Sequence, residues 1–530
     1  MHGRVKVRTS DEEKARKEKE RQEKLKIFKN VMQKIQQKRK EKEIDLELLD
    51  LTSKVLTSNP DIYTLWNIRR EIFLHIKGST PEEALKKLYD DELSMTEYCL
   101  KINPKSYCAW HQREWVLTSR SDPDWKTELN LCNMYLKLDE RNFHTWDYRR
   151  FVVSQCKSPL QDEFDFTTEK LLDNFSNYSA WHYRSKMLLQ LYPDLEGGRP
   201  IQDTHHKHEL KMVQSAAFTD PDDTSAWFYQ RWLLGAVKTT ISLVACTVTQ
   251  SIITVAFSKH VSLDLIQKRT RITFNDVNVN GEWTSCNGNN YDNLWILKHV
   301  ETMNDKMDVK AIYEDENNEK VVIKCLKCRS MTFIGKGDIN FKNKYSQPVI
   351  DELNEQLESC RQLLLLEPDN KWTLLTTTIF LHCIDPKLHH NETIFNLKIL
   401  KNIDPQRAGY YEDLLSKWSI ENQLPMDYSC NEVIFKPKFL NKLTSLPHLQ
   451  YYSFCKVVDL SNQHLQSNML PSLKVLQHCQ ILILRNNKLT TLRGFPYMKD
   501  LENLNIEQNE GISKEEMEQF KNSHNFATIF

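Results

Sequence analysis

The chain has 530 residues, 72 basic and 72 acidic side chains, twelve glycines and twelve tryptophans. Its length predicts two to four domains, and the balanced charge excludes a global field that favours nucleic acid or an anionic membrane surface. Few glycines and many tryptophans favour a packed helical protein over an enzyme built on a glycine-rich nucleotide loop.

The cysteines and the first residues predict a reducing compartment. Thirteen cysteines are scattered without disulfide-framework spacing, and Met1 to Lys6 contains no apolar signal core, so we expect a cytoplasmic location. One apolar run, residues 241–257, is interrupted by Thr247, Thr249 and Gln250 well short of the ~20 apolar residues that a membrane span needs. We therefore predict no membrane span and interpret this run as two strands.

The segment from Asp11 to Glu43 is dense in Lys, Arg and Glu. Opposite charges four positions apart support a helix, so we predict a solvated helix here.

One pattern then recurs five times within residues 45–237. Each copy has a polar or proline-containing turn, a hydroxyl residue as a predicted N-cap, a tryptophan, and an arginine three or four positions later. The hydroxyl residues are Thr64, Ser106, Thr145, Ser179 and Ser225, the tryptophans are Trp66, Trp110, Trp146, Trp181 and Trp227, and the arginines are Arg69, Arg113, Arg149, Arg184 and Arg231. The steps of 44, 36, 35 and 46 residues between tryptophans are typical of helical repeats. Each copy is predicted to be a helical hairpin.

The spacing places the tryptophan and the arginine of each copy on one helical face. A large aromatic residue on such a face most often packs in the core, so we expect these tryptophans to be buried. The arginines need carboxylate or backbone acceptors, or an anionic ligand. We assign them mainly to hydrogen bonding between hairpins or to a subunit interface.

At about residue 238 the pattern changes to short β-rich runs bounded by turns such as Asn280-Gly281. Short β-rich runs bounded by turns predict a small β-sandwich inserted in the helical array. Helical spacing returns at Asp351, and Trp372 marks a sixth hairpin that has lost the arginine.

The C-terminal region has a shorter period. An L-x-L-x-x-N pattern begins at Leu482, the segment from Leu504 aligns with it, and a similar segment begins at Val458, so that the steps are 24 and 22 residues. These steps indicate leucine-rich repeats, in which Asn487 and Asn509 are expected to bond the backbone inside the turns.

The predicted fold is therefore multidomain and mainly α-helical: a helical-hairpin solenoid, an inserted immunoglobulin-like β-sandwich and C-terminal leucine-rich repeats. The predicted boundaries are 1–44 for the N-terminal segment and charged helix, 45–237 for hairpins one to five, 238–348 for the sandwich, 349–439 for the sixth hairpin and closing helices, and 440–530 for the leucine-rich repeats.

The repeated turn, Trp and Arg resemble the protein prenyltransferase α-subunit repeat over residues 45–237 and 350–420. The run of matches is far more specific than any single one. The added sandwich, the leucine-rich repeats and the start Met1 to Arg4 are similar to the Rab geranylgeranyltransferase branch of that family.

The resemblance implies an α subunit that is inactive without a β subunit. In this family the α hairpins surround a β subunit that carries the catalytic zinc and the isoprenoid cavity. The thiolate of a C-terminal cysteine of a Rab GTPase attacks geranylgeranyl diphosphate, and Rab escort protein presents the Rab. The implied cofactor is zinc on the β subunit, and the implied partners are the β subunit, the escort protein with its Rab, and geranylgeranyl diphosphate.

The resemblance also assigns site residues. Lys105 and Tyr107 match positions where the family's α subunit reaches the diphosphate and the reactive carbon, and His144 lies at the corresponding lip of the third hairpin. A lysine or a tyrosine hydroxyl stabilises the charge of a leaving diphosphate. Arg141 and Phe143 depart from farnesyltransferase-like chains, which have Lys and Tyr there, so a hydroxyl is lost. The alternatives are a solvated turn lysine for Lys105 and a hydrogen-bonded packing histidine for His144.

His2 is a further expectation. In the Rab geranylgeranyltransferase branch a similar N-terminal histidine can reach into the β subunit and ligate the zinc before substrate arrives. A metal-bound histidine must be neutral, so such a plug would loosen as the pH falls. The alternative is an untethered terminal residue.

Two other classes of function are open at this stage. One is a non-enzymatic scaffold that uses its Trp and Arg faces for protein contacts alone. The other is an α subunit for farnesyl or type I geranylgeranyl transfer, which the additional domains disfavour. No nucleophile and base pair, phosphate loop or complete zinc set predicts catalysis by this chain alone.

Overall fold

We describe the protein from a computed structural model. It describes residues 11–195, 199–236, 241–286, 288–315, 318–329, 331–339, 341, 345–429, 433–436, 442–523 and 528–529. The chain divides into two compact units after Leu191.

The first unit is helical. Its helices are α1 (Asp11–Glu41), α2 (Leu46–Leu56), α3 (Tyr63–Ile76), α4 (Glu82–Ile102), α5 (Tyr107–Ser119), α6 (Trp125–Leu138), α7 (Phe143–Cys156), α8 (Leu160–Asp173) and α9 (Tyr178–Leu191). The charged N-terminal helix is confirmed as α1, with exposed pairs such as Lys17 with Glu13. Helices α2 to α9 form four consecutive hairpins, as the repeat predicted.

The predicted N-caps are only partly right. Ser106 caps α5 by accepting from the Ala109 amide. In α7 the cap is Asn142, which accepts from the His144 amide, and the predicted cap Thr145 is buried inside the helix. An asparagine side chain caps as well as a hydroxyl does, so residue type alone could not decide between the two positions.

The tryptophans bind each hairpin to its own turn. All five are buried, and each indole N–H donates to the carbonyl of the residue six positions earlier. The donor and acceptor pairs are Trp66 to Pro60, Trp110 to Pro104, Trp146 to Glu140, Trp181 to Phe175 and Trp227 to Pro221, at 2.7 to 3.0 Å. The prediction of core tryptophans is confirmed, and the indole N–H has the partner that a buried one needs.

The arginines join successive hairpins. Arg69, Arg113 and Arg149 each form a two-pronged ion pair with a buried glutamate of the next hairpin. The pairs are Arg69 with Glu92, Arg113 with Glu128 at 2.7 Å, and Arg149 with Glu163 at 2.6 Å. The third nitrogen of Arg113 donates to the Leu93 carbonyl, and that of Arg69 to the Leu49 carbonyl. The assignment to hydrogen bonding between hairpins is confirmed for these three residues.

The second unit begins with a further hairpin and continues into sheets and helices. The helices are α10 (Asp203–Thr219), α11 (Thr224–Gly235), α12 (Leu263–Arg269), α13 (Gln347–Leu366), α14 (Lys371–Ile384), α15 (His390–Ile403), α16 (Ala408–Ser429) and α17 (Lys514–Ser523), with 3₁₀ turns at Pro405–Arg407, Leu449–Tyr452 and Ser467–Val475. Helices α13 and α14 form the sixth hairpin, in which Trp372 is buried and the third position after it is Leu375.

Nine antiparallel strands between these helices form one curled sheet. They are β1 (Leu243–Val248), β2 (Ile252–Ser262), β3 (Thr270–Phe274), β4 (Val277–Asn278), β5 (Glu282–Ser285), β6 (Tyr291–Lys298), β7 (Val309–Glu314), β8 (Lys320–Arg329) and β9 (Thr332–Lys336), in the order β4-β3-β7-β8-β9-β1-β2-β6-β5. The first part of β8, up to Cys325, pairs with β7, and the part from Leu326 pairs with β9. The sheet is therefore continuous through β8, whereas a sandwich of two separate sheets was predicted. The immunoglobulin-like assignment stays a prediction.

The apolar run that superficially resembles a membrane segment forms β1 and β2, which confirms its interpretation as two strands. Every residue of β1 is buried, and β2 is buried from Ile252 to Phe257. Phe257 and Val255 face the core of the curled sheet, whereas Val244 and Ala256 pack against the C-terminal residues. Both faces are covered, which explains the continuous apolar sequence. No helix among the described residues has the length and apolarity to span a membrane.

The C-terminal residues form a parallel-sheet module, defined here as Ile434 to Ile529. Its strands are β10 (Ile434–Phe435), β11 (Val457–Asp459), β12 (Ile481–Ile483), β13 (Asn503–Asn505) and β14 (Thr528–Ile529), which are parallel and adjacent in chain order. The Asn487 amide donates to the Leu460 and Leu484 carbonyls, and the Asn509 amide to the Leu484 and Ile506 carbonyls. The predicted backbone bonding of both asparagines is confirmed, and the leucine-rich-repeat assignment stays a prediction.

The arginine and glutamate pairs generate a stability prediction. In Arg113→Met the Glu128 carboxylate loses both guanidinium bonds and keeps the Tyr148 hydroxyl, which donates at 2.8 Å. Removing one partner of a buried pair costs about 3–5 kcal/mol, so we expect a clearly lower thermal midpoint by circular dichroism.

The matched control is Lys86→Met, which breaks an exposed pair with Asp122 and should change the midpoint little. The double variant Arg113→Met/Glu128→Gln should regain part of the loss, because no unpaired charge is left buried. Equal midpoints for Arg113→Met and Lys86→Met would contradict the assignment.

Candidate functional site

Three side chains predicted to share a site lie together at two adjacent turns of the first unit. Lys105 and Tyr107 flank the start of α5, and His144 follows the first residue of α7. The Tyr107 ring meets the His144 ring edge to face, with centroids 4.2 Å apart, and the Phe143 ring stacks on His144 at 4.0 Å. The structure therefore brings together the three residues that the family resemblance named, while their roles stay predictions.

Asparagine and aspartate side chains fix the shape of these turns. The side-chain oxygen of Asn103 accepts from the backbone N–H of Lys105 at 3.1 Å. The side-chain NH₂ group of Asn103 donates to the carboxylate of Asp61, in the preceding turn, at 2.9 Å. The next turn repeats this arrangement, with Asp139 accepting from the Arg141 amide. Such side chains imitate a backbone turn and hold it in place. Lys105 therefore projects from a defined position.

Lys105 and Tyr107 are exposed to solvent, whereas His144 is buried. Lys105 is 62% exposed and its Nζ lies 3.5 Å from the Asp139 carboxylate. Tyr107 is 67% exposed and His144 only 6% exposed. Burial lowers the pKa of His144, Asp147 raises it and Lys105 lowers it further. The imidazole is therefore neutral at pH 7, and the lysine supplies the positive charge of the cluster.

Arg141 and Phe143, which depart from the farnesyltransferase-like pattern, both contact neighbouring residues. The Arg141 guanidinium donates to the Ser176 carbonyl of the next turn at 3.0 Å. Phe143 is half exposed and covers His144. Arg141 thus braces the neighbouring turn, and Phe143 adds an apolar surface where the lost hydroxyl would be.

One feature of this surface was missed in the sequence. The first residue of the second helix of each hairpin in the first unit is an exposed aromatic side chain. These residues are Tyr63, Tyr107, Phe143 and Tyr178. Each stands three positions before a repeat tryptophan, a signal that could have found them. Exposed aromatic side chains at successive turns are typical of a surface that another protein covers.

The fifth arginine of the repeat, Arg231, does not form the predicted hydrogen bonds between hairpins. It stands four positions after its tryptophan, and the third position is Gln230, which donates to Gln356 of the sixth hairpin at 3.0 Å. The Arg231 terminal nitrogens are buried and have no acceptor among the described residues, while the guanidinium lies 4.7 Å from the Phe228 ring and 5.2 Å from the Trp372 ring. Burial lowers the pKa of Arg231 to about 10. The predicted hydrogen bonding between hairpins is therefore wrong for Arg231, because Gln230 occupies the bonding position.

The described residues contain no cluster of three or more histidine, cysteine, aspartate or glutamate side chains arranged to hold a metal ion. Lys105, Tyr107 and His144 do not form such a set, so we derive no step through a metal held by them. The predicted ligand His2 lies outside the described residues. None of the twelve described cysteines forms a disulfide.

The helical array defines the class of protein. It matches the protein prenyltransferase alpha subunit repeat at residues 45–76, 89–120, 125–156, 160–191 and 206–237, which correspond to the five hairpins predicted from Trp and Arg. These repeats mark a protein prenyltransferase alpha subunit.

Relatives that match nearly the whole chain identify the family within this class. The chain is 38% identical over 520 residues to the Geranylgeranyl transferase type-2 subunit alpha of Sus scrofa, covering 96% of this chain and 91% of the relative. The Homo sapiens protein of that name is also 38% identical, covering 95% and 90%. The Saccharomyces cerevisiae protein of that name is 29% identical, covering 62% of this chain and 94% of the relative. The chain belongs to the geranylgeranyl transferase type-2 alpha subunit family, which confirms the resemblance predicted from the repeats.

The cluster generates a titration prediction. Because Lys105 lowers the pKa of His144, Lys105→Ala should raise it towards the ordinary value. Carbon-13 labelled histidine would report the His144 Cε1 resonance across a pH series. The unfolded chain binds its proton at higher pH than the folded chain, so His144 opposes folding as the pH falls below ~6.5.

Lys101→Ala is the control, because Lys101 pairs with Glu97 and does not act on His144. A His144 titration that Lys101→Ala and Lys105→Ala shift equally would disprove the electrostatic coupling between Lys105 and His144.

Proposed function

We propose that this chain acts as the α subunit of a heterodimer that transfers geranylgeranyl from geranylgeranyl diphosphate to C-terminal cysteines of Rab GTPases. Family membership supports the type-2 reaction. The observation that carries the role of this chain's own residues is the grouping of Lys105, Tyr107 and His144 at two adjacent turns.

Lys105 is suited to stabilise a leaving diphosphate. Its only ion pair among the described residues is the exposed contact with Asp139, and such a contact is weak in water. A diphosphate, which carries several charges, can therefore displace Asp139 with little loss. The backbone turn at Asn103 keeps the lysine in place while its partner changes.

Tyr107 and His144 act together in this proposal. The hydroxyl of Tyr107 is a neutral donor for a developing negative charge. The His144 ring supports the Tyr107 ring edge to face, and its neutral state leaves Lys105 without a competing like charge. His144 is thus a positioning residue for Tyr107.

The remaining chemistry belongs to partners. We propose that a β subunit holds the zinc ion that activates the cysteine thiol and the cavity that binds the isoprenoid. Rab escort protein presents the Rab, and the complex works in the cytoplasm. The exposed row Tyr63, Tyr107, Phe143 and Tyr178 supports a covering subunit on this side of the first unit. The predicted domain boundaries, with an immunoglobulin-like insertion and leucine-rich repeats, belong to this proposal as well.

Substitution of Lys105 tests the proposal. In the co-expressed heterodimer, Lys105→Ala should lower kcat for transfer to an escorted Rab by about a hundredfold, because one preformed electrostatic contact to the leaving group is lost. Single-turnover transfer of labelled geranylgeranyl would measure this step. Size-exclusion chromatography should show an intact dimer.

Lys101→Ala, at an exposed position in the last turn of α4, is the matched control and should keep the wild-type rate. Tyr107→Phe, which retains the ring but lacks the hydroxyl, should lower kcat by a smaller factor. The proposal fails if Lys105→Ala transfers at the wild-type rate in an intact dimer.

His2 has a separate proposal. We place it as a ligand of the β-subunit zinc before substrate binds, on the resemblance alone. In a cobalt-substituted heterodimer, His2→Ala should change the ligand-field spectrum of the substrate-free state and leave that of the substrate complex unchanged. Identical substrate-free spectra for His2→Ala and wild type would refute this role.

The competing function is a non-enzymatic scaffold, and the exposed aromatic row is the observation that favours it. A scaffold would bind partners through the same surface and support no transfer with any β subunit. Transfer that depends on both zinc and this chain would exclude it.

A further inference from the structure

A groove lies where the curled sheet packs against the parallel-sheet module. Two cavities, of about 600 and 520 Å³, lie along this contact, which we call the seam, and Lys474 is in the wall of both. We name the two cavities and Lys474 between them the seam groove. It belongs to the second unit and has no part in the proposed transfer site.

The walls of the seam groove are held by polar bonds across the seam. Lys474 of the module lies 3.3 Å from the Asp292 carboxylate of β6, which is completely buried. The Asp292 carboxylate also accepts from the Cys286 thiol. Elsewhere in the seam, Thr254 of β2 bonds His478 at 2.8 Å. Both walls are therefore fixed before any ligand binds, which reduces the entropy that binding must overcome.

The seam groove is lined by basic side chains, two of which have acidic partners behind the wall: Lys474 pairs with Asp292, and His448 bonds Glu421. Its basic residues are Lys259, Lys298, Lys474, Lys499, His260 and His448, and none of the described residues that line it is an aspartate or glutamate. This contrasts with the equal numbers of acidic and basic residues in the whole chain. Lys298 and Lys499 are exposed and make no ion pair within the described chain. A cleft lined by one sign of charge attracts the opposite sign.

The first cavity adds apolar contacts and a strand edge. Ile252 and Ile296 come from the sheet, and Pro496 and the exposed Tyr497 come from the module. Thr284 and Ser285 of β5 also line it, and β5 is the last strand of the sheet and pairs only with β6 among the described strands. Aliphatic walls beside an edge strand suit a polypeptide, whereas a single-stranded nucleic acid needs several stacking aromatic rings.

We propose that the seam groove binds an extended acidic segment of a partner protein, with apolar side chains at alternate positions. The apolar side chains would enter the cavity near Ile296, and the acidic ones would face the lysines at its rim. An alternating sequence places the two kinds of side chain on opposite sides of an extended segment.

The test uses the full-length chain and a labelled peptide pool in which glutamate alternates with Leu, Ile, Val or Phe. Wild type should bind this pool by fluorescence anisotropy and bind it more weakly as salt is raised. The double substitution Lys298→Glu/Lys499→Glu should weaken binding about tenfold, since two rim charges change sign.

Lys514→Glu/Lys521→Glu is the matched control. Both lysines are exposed on α17 outside the groove, the charge change is the same, and affinity should stay within about twofold of wild type. Equal thermal midpoints of the two double variants would establish that both are folded.

Three results would overturn the proposal. The first is equal affinity of the two double variants, the second is equal binding of a pool with lysine in place of glutamate, and the third is displacement of the peptide by oligothymidylate at lower concentrations than unlabelled peptide. The last result would assign the groove to nucleic acid.

Discussion

The buried ion pair between an arginine and a glutamate of the next hairpin is the interaction on which the helical array depends. Each glutamate is held from two sides. Glu128, for example, accepts from Arg113 of the preceding hairpin and from the Tyr148 hydroxyl of its own hairpin. Glu92 is held in the same way by Arg69 and by the Gln112 amide. A buried carboxylate without these donors would be costly, so only one register satisfies the first four hairpins. The turns at the ends of the hairpins are aligned as a consequence, and the proposed site lies on two of them.

The side chains that join successive hairpins are different where the sheet is inserted. Between the fifth and sixth hairpins Gln230 donates to Gln356, and the buried Glu352 accepts from the Gln356 amide and pairs with Lys211 of the fifth hairpin at 3.3 Å. A neutral amide forms fewer directed bonds than a guanidinium, which has five donors in a fixed plane. The amide pair by itself therefore specifies the register less strictly than a guanidinium pair does. The neighbouring Arg231 is held by rings instead of acceptors.

The sequence predicted what is periodic and left open what depends on the fold. Trp and Arg recur at a fixed spacing, so the hairpins and the buried indoles could be predicted from the repeat, whereas the grouping of Lys105 and His144 came only from the family resemblance. The glutamate partners could not be assigned, because 14 to 23 residues separate each from its arginine and many other glutamates compete. The strands β1 and β2 were identifiable as apolar, but their sequence does not tell which surfaces cover the two faces. The exchange of partners along β8, from β7 up to Cys325 to β9 from Leu326, likewise follows no local residue pattern.

On the proposed role of Lys105, the exposure of the site gives a physical reason for a partner. Lys105 and Tyr107 are each more than half exposed. In water a lysine charge is screened, and its attraction to a leaving diphosphate is weak. The same charge becomes effective only when a second surface excludes water from these turns. The exposed aromatic rings beside the two residues supply the apolar area that such a surface would bury. On the proposed function, covering these turns would therefore both hold the subunits together and give Lys105 its electrostatic effect.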